Sequence, residues 1–274
     1  MRIQSNLFCL FGMSLILTGC TTTQSNLNST LWMQTASEYK AHTIGTYHNA
    51  QERLHQALKD KKWTAAVEQQ NKAYASLPPA IIMDIDETVL DNSPYAAQLL
   101  KDDLPYTYET WNEWVMLRSA AAIPGAVHFI NYAKGLGIEV IYITNRSCQP
   151  RPNKTSMCPQ KNETIENLLH TGIKGVKEQN VLLQNEKPQW SAEKKSRRDL
   201  IASKYRILML FGNDLGDFLS DVRSHITPEK RDELVQTYHS YWGEKWFMFS
   251  APTYGSWIDI LDAPKSNYLK GYRK

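Results

Sequence analysis

The sequence predicts an α/β fold, a Rossmann-like parallel sheet flanked by helices, with a mainly helical cap over one end. Three observations predict it. Short apolar or β-branched runs recur at 80–83, 138–143, 181–183, 206–211 and 246–249. Helix starts and stops separate them, and strands alternating with helices need right-handed crossovers and hence a parallel sheet. Three of the runs end in acids, a threonine or a glycine-acid turn, so polar side chains gather at one edge, where open α/β sheets carry their sites.

In the chain of 274 residues, Arg2 near the start is followed by an apolar stretch from Leu7 to Leu17 and then by Leu17-Thr18-Gly19-Cys20 ahead of a Thr/Ser/Asn/Gln tract. That stretch is too short to span a bilayer comfortably and reads as the apolar core of an export signal. Residues 1–19 are expected to be signal, 20–30 a polar linker and 31–274 the folded domain. From about Leu31 to Ser76, Trp32, Tyr39, Tyr47, Leu54, Leu58, Trp63, Val67 and Tyr74 recur at mixed three-, four- and seven-residue steps, which predicts helix. Residues 31–76 and about 95–122 are assigned to the cap.

Ala80 to Met83, after Pro78-Pro79, suits a buried strand, and Asp84-Ile85-Asp86 stands at its mouth. Alternation turns both carboxylates to one side and Ile85 to the other. Two such groups could hold Mg²⁺, and one could attack an electrophile. Asp91-Asn92-Ser93-Pro94 then offers a cap and a helix start, followed by Tyr106, Tyr108, Trp111 and Trp114, aromatic enough for a lid over a pocket. Ile123-Pro124-Gly125-Ala126 starts a helix that Gly135-Leu136-Gly137 stops. The strand 138–143 ends in Thr144-Asn145-Arg146. A helix near Asn162 to His170, the strand 181–183 and a basic helix at 193–198 follow. The strand 206–211 runs into Gly212-Asn213-Asp214-Leu215-Gly216-Asp217.

The formal charge is +3, with lysines and arginines scattered among acids. No basic stripe points to a nucleic-acid polymer. Of the four cysteines, Cys9 falls in the signal and Cys20 at its end. Cys148 and Cys158, ten apart in a Pro-rich loop, are open to two readings, a disulfide clip or a free pair. The seven histidines form no zinc pattern.

Asp84-x-Asp86-x-Thr88, Thr144 at a strand end, a helix lysine and Gly212-x-x-x-x-Asp217 resemble, in order, the four motifs of the haloacid dehalogenase superfamily. Within it, Asp84 to Tyr95, Ile123-Pro124-Gly125-Ala126, Thr144-Asn145-Arg146, Lys195-Ser196-x-Arg198, Leu215-x-Asp217-Phe218 and Pro252-x-Tyr254-Gly255-x-Trp257 resemble the class C bacterial acid phosphatases of the lipoprotein-e type. Trp32 and Ser37-Glu38-Tyr39-Lys40 fit the same family, and the resemblance runs from about Leu31 to Trp257.

The resemblance implies a Mg²⁺-dependent phosphomonoesterase acting on small phosphate esters such as nucleoside monophosphates. Asp84 would attack phosphorus, and Asp86 would protonate the leaving alkoxide and then activate water. The Asp86 backbone carbonyl would also bind the metal. Thr144 would donate to a phosphoryl oxygen, and Lys195 would neutralise charge; its neighbour Lys194 is the rival, but the register of Lys-Ser-x-Arg favours Lys195. Asn145, Arg146 and Tyr254 are expected to contact substrate. Asp84, Asp86, Asn213 and Asp217 form the expected metal site. The family usually has aspartate where this chain has Asn213, which removes a negative charge beside a hard cation, so weaker metal affinity is expected; Asp214 is the other candidate.

Leu17-Thr18-Gly19-Cys20 resembles the lipobox of bacterial lipoproteins, which implies lipidation at Cys20 and a membrane tether. Thr21, rather than an acid, favours the outer membrane in a Gram-negative host. The sequence leaves open an oligomer, and it leaves open a second reading, a surface lipoprotein that binds a ligand or partner on a retained phosphatase fold without turnover.

Overall fold

The computed structural model describes residues 26–152 and 154–272. The signal and the lipidation expected at Cys20 lie outside these residues. Helices α1 (Leu27–Thr35) and α2 (Ser37–Lys59) open the fold. Five strands, β1 (Pro79–Met83), β4 (Glu139–Ser147), β5 (Val181–Gln184), β6 (Arg206–Gly212) and β7 (Trp246–Met248), form one parallel sheet in the order β5-β4-β1-β6-β7. The expected α/β class therefore holds. No helix among the described residues is long and apolar enough to cross a membrane.

Period-two alternation divides the core. Along β1, Ile81 and Met83 face one layer and Ala80 and Ile82 the other; Val140 and Tyr142 separate from Ile141 and Ile143 in the same way. The first layer holds α2 and α5 (Ala126–Gly135). There Tyr47 lies among Phe129, Phe211 and Phe249, with ring centroids 5.5, 5.9 and 4.8 Å away. Burying an aromatic such as Phe211 stabilises the fold by roughly 1.5–3 kcal/mol. The second layer packs Trp246, Phe218 and Ile201, the last from α7 (Lys195–Ala202). Helix α8 (Pro228–Thr237), a helix the sequence reading missed, starts with a Thr227 side chain accepting from Lys230 N at 3.3 Å and has Pro228 in its first turn.

Three expectations about the N-terminal third need correction. Residues 27–30, assigned to the linker, already belong to α1. The helix expected to run to Ser76 stops at Lys59, because Arg206 donates to the carbonyls of Ala57 at 2.8 Å, Leu58 at 2.9 Å and Asp60 at 2.7 Å and so satisfies its C-terminal end. Beyond it the chain crosses to the second layer, where Ala65 N donates to Ile207 O at 2.8 Å. Finally, α2 is a layer of the core and not a cap element, since it packs on β6, β7 and α5.

The cap is an insertion after β1. Two-residue strands β2 (Leu90–Asp91) and β3 (Ala121–Ala122) pair antiparallel as its stalk. Between them lie α3 (Ser93–Lys101) and α4 (Tyr108–Leu117), the latter opened by a capping box of Thr107 and Thr110. Helix α1 packs on α3, and α4 on α6 (Pro159–His170). Cys148 and Cys158 are joined by a disulfide that closes the loop from β4 into α6.

Candidate active site

Strand register brings the motifs together. Met83 pairs with Tyr142 on one side and Phe211 on the other, so the end of β1 lies level with Tyr142 of β4 and Phe211 of β6. Asp84 N donates to Phe211 O at 2.9 Å, which extends this alignment by a residue. The chain then turns sharply, with Val89 N and Leu90 N both donating to Ile85 O, at 2.8 and 2.9 Å. Tyr47 reaches from α2 to hold that turn, its hydroxyl donating to Thr88 O at 2.6 Å.

A cavity of about 570 Å³ opens above these strand ends and beneath the cap. Asp84, Asp86, Asn145, Arg146, Asn213 and Asp217 line it, as does Tyr254. Thr144 lies beneath its floor, fully buried, donating to Asp86 Oδ2 at 3.3 Å and accepting from Arg146 N at 3.0 Å.

Lys195 does not join them. It is solvent-exposed and pairs with Asp199 one turn along α7 at 2.6 Å. Lys194 occupies the expected lysine's place: buried, its Nζ is 2.5 Å from Asp84 Oδ1 and 2.6 Å from Asp217 Oδ1. The reason is helix rotation. Positions i, i+3 and i+4 share a face, and here that inward face is Lys194, Arg197 and Arg198. Arg197 donates to Thr144 O at 2.6 Å and Arg198 to Gly216 O at 2.9 Å, so α7 ties the end of β4 to the loop after β6. That periodicity was the signal in the sequence that could have found Lys194.

Burial pushes the Asp84 carboxyl up to about 7, against the pull of the Lys194 ammonium and with the charges of Asp217 and Asp86. The Asp86 carboxylate is gripped by Arg146, whose Nη2 and Nε donate to Oδ1 at 2.8 and 3.0 Å, and by Asn92 Nδ2 at 2.9 Å. Asn92 in turn accepts from Trp114 Nε1 at 2.8 Å, which links α4 of the cap to this acid. Arg146 also donates to Thr164 at 3.2 Å, so its guanidinium orients Asp86 and is not free to hold a ligand as the sequence suggested. Asn145 is likewise engaged, with Ala192 O at 3.0 Å and Arg197 Nη2 at 2.8 Å.

Glu87 was not foreseen. It is buried in a left-handed backbone conformation, accepting from Asn92 N at 2.8 Å and from the Tyr254 hydroxyl. Burial and then the Asp86 charge push its carboxyl up to about 8, against those hydrogen bonds. Tyr254 keeps 45% of its surface exposed and sits at the cavity wall.

The Asn213 amide lies against Asp84 Oδ2 and the Asp86 carbonyl. With its NH₂ turned inward it donates to them at 3.0 and 3.1 Å; turned the other way, it presents a third oxygen to the same point. A carboxylate oxygen, a carbonyl and an amide oxygen so gathered are the donors a hard divalent cation takes. Among the described residues no group of three or more His, Cys, Asp or Glu is arranged for a metal. Asp214 points elsewhere: it accepts from Ser256 N at 2.6 Å and pairs with Arg223 at 3.1 Å. Burial raises its pKa, but Arg223 and hydrogen bonds from Gly216 and Ser256 bring it below the usual range. Asp217 has both oxygens occupied, Oδ1 by Lys194 and Oδ2 by the amides of Asn213 and Asp214 at 3.0 Å each. It orients the loop and the lysine instead of offering a direct metal bond. Only glycine fits at 212, where a Cβ would lie 2.2 Å from Asp217 Oδ2.

Comparison with known proteins follows the same lines. The family model described as HAD superfamily, subfamily IIIB (Acid phosphatase), matches residues 14–257. The structure of the class C acid phosphatase from Bacillus anthracis is 31% identical over 92% of this chain and 99% of that chain, with a TM-score of 0.73. Its tungstate-bound crystal structure, at the same identity and coverage, gives 0.74.

Proposed function

Because this chain belongs to the acid phosphatases of the haloacid dehalogenase superfamily, subfamily IIIB, we propose that it is a Mg²⁺-dependent phosphomonoesterase working through an aspartyl-phosphate. The observation that carries this is the Asp84 carboxylate at the cavity floor, held by Lys194 and facing the oxygens of Asn213 and the Asp86 carbonyl. Tungstate, bound by the Bacillus anthracis protein, is a tetrahedral oxyanion like phosphate, which supports the reading.

In the first step an Asp84 oxygen forms a bond to phosphorus while the bond to the ester oxygen breaks, and Asp86 gives its proton to that leaving oxygen. In the second, Asp86 takes a proton from water, whose oxygen displaces the Asp84 carboxylate from phosphorus and releases inorganic phosphate. Lys194 offsets phosphoryl charge throughout. Arg146, Asn92 and Thr144 hold the Asp86 carboxyl where these transfers need it. Asp84, Asn213 and the Asp86 carbonyl would hold Mg²⁺, which supplies Lewis-acid neutralisation of the phosphoryl oxygens.

The leaving group is a small alcohol, best a nucleoside. Tyr95, Tyr106 and Trp111 of the cap and Tyr254 opposite offer aromatic faces along the cavity for a base. The chain is exported and tethered through Cys20 to the outer membrane; Leu17-Thr18-Gly19-Cys20 supports this, and the Cys148–Cys158 disulfide suits an oxidising compartment.

The test is hydrolysis of p-nitrophenyl phosphate and 5′-nucleotides by the chain lacking residues 1–20, with EDTA and with added Mg²⁺. Turnover lost to EDTA and restored by Mg²⁺ is expected. No turnover from about pH 4 to 8 in folded protein would favour the non-catalytic lipoprotein instead.

A further inference from the structure

The first described residue reaches the cavity and the loop that precedes the C-terminal segment. Asn26 Nδ2 donates to Thr253 O at 3.2 Å, and both residues line the cavity, as does Asp259 at the end of the short helix α9 (Ser256–Asp259). Beyond α9 the chain runs out over the surface, and residues 262–272 are all exposed. Leu269 and Tyr272 keep 81% and 85% of their surface in solvent, and Tyr268 keeps 40%. From Ala263 to Lys274 the sequence holds Lys265, Lys270, Arg273 and Lys274 and no acid.

Upstream, Cys20 stands six residues before Asn26, so fully extended chain separates them by at most about 20 Å. We propose that the segment 263–272 lies on the anionic phospholipid surface to which the chain is tethered. The proposal rests on the lipid-anchored reading of Cys20. Lysines beside exposed Leu and Tyr side chains match an anionic bilayer in two ways. The charges are drawn to the headgroups, while Leu269 and Tyr272 sit at the boundary between headgroup and acyl chain. A scattered net charge of +3 would not by itself select a face; a terminal stretch from Ala263 that holds four basic residues and no acid in sequence does.

The experiment uses the unlipidated chain from Thr21 onward, which carries every described element of the fold. Its co-sedimentation with phosphatidylglycerol vesicles is compared with that on phosphatidylcholine vesicles, at low and high salt. Binding to the anionic vesicles alone, weakened by salt and reduced on the order of tenfold by K265E/K270E, is expected. The L269S/Y272S chain should also bind less. Hydrolysis of p-nitrophenyl phosphate by each variant should match wild type, which reports that the fold is kept. Equal partitioning to both lipids, no partitioning to either, or binding untouched by both double substitutions overturns the proposal. The anchor is judged separately by the full chain with Cys20→Ser in cells. A change in membrane fractionation there concerns the tether, whereas the vesicle result concerns the tail.

Discussion

The Lys194 ammonium lies 2.5 Å from Asp84 Oδ1 and so fixes the carboxylate at the cavity floor. Both groups are buried, so their pairing is only weakly screened by solvent. Lys194→Ala should lower kcat on p-nitrophenyl phosphate by roughly 10²–10³, whereas Lys195→Ala, at an exposed pair with Asp199, should stay within about twofold of wild type. Steady-state kinetics on the two variants separates the neighbours. The reverse result would return the role to Lys195.

Asp84→Asn keeps the side chain's shape and removes the nucleophile. It should abolish turnover while leaving the far-UV circular dichroism of the fold intact. Hydrolysis near the wild-type rate would reject Asp84.

Asn213→Asp adds a negative charge beside the gathered oxygens of Asp84 and Asp86. Mg²⁺ affinity, read by calorimetric titration without substrate, should tighten on the order of tenfold. Asp214→Asn should instead weaken the loop, because its carboxylate holds Ser256 and Arg223. An unchanged Mg²⁺ affinity in Asn213→Asp would mean that position 213 does not face the cation.

Glu87 gives metal-free protein a pH-dependent stability. Its carboxyl is pushed up to about 8 in the fold by burial and by Asp86, from 4.5 when solvated. Below that lower value both states hold the proton and the group is neutral to stability. Between the two values the unfolded chain releases the proton while the folded chain keeps it, so stability falls by up to about 1.4 kcal/mol per pH unit. Urea unfolding in EDTA between pH 5 and 8 should show a steeper decline for wild type than for Glu87→Gln. Parallel slopes would show that Glu87 does not carry the effect; Asp84, raised in the same direction, contributes to both curves.

Gly212→Ala should destabilise the protein by about 1–3 kcal/mol and reduce activity, since the added methyl would collide with the Asp217 side chain. A double-mutant cycle with Asp217→Gly tests the cause, because that change also removes the Asp217 Cβ that would lie 2.3 Å from the added methyl. Gly212→Ala should then cost less in thermal unfolding on the Asp217→Gly background than on wild type.

The sheet and the polar groups at its ends were legible in the residues alone. Apolar β-branched runs such as Ile138 to Ile143 have few ways to be buried other than as central strands, and Asp84, Thr144 and Asn213 follow such runs by one or two residues. Asp84, Asp86 and Asn213 were legible for that reason: strand direction carries them to the same edge. Whatever depends on helix rotation or on partners distant in sequence was set by packing. Lys194 and Lys195 are equal as residue types, and the packing of Arg197 and Arg198 beneath α7 sets which one turns inward. Glu87 became part of the site through Asn92 and Tyr254, the latter 167 residues away in sequence. The periodicity of α2 showed that it would be buried but not against what; Tyr47 meeting Phe129, Phe211 and Phe249 made it a core layer. Local pattern fixes which face of an element is apolar, whereas its partner is chosen by contacts distant in sequence.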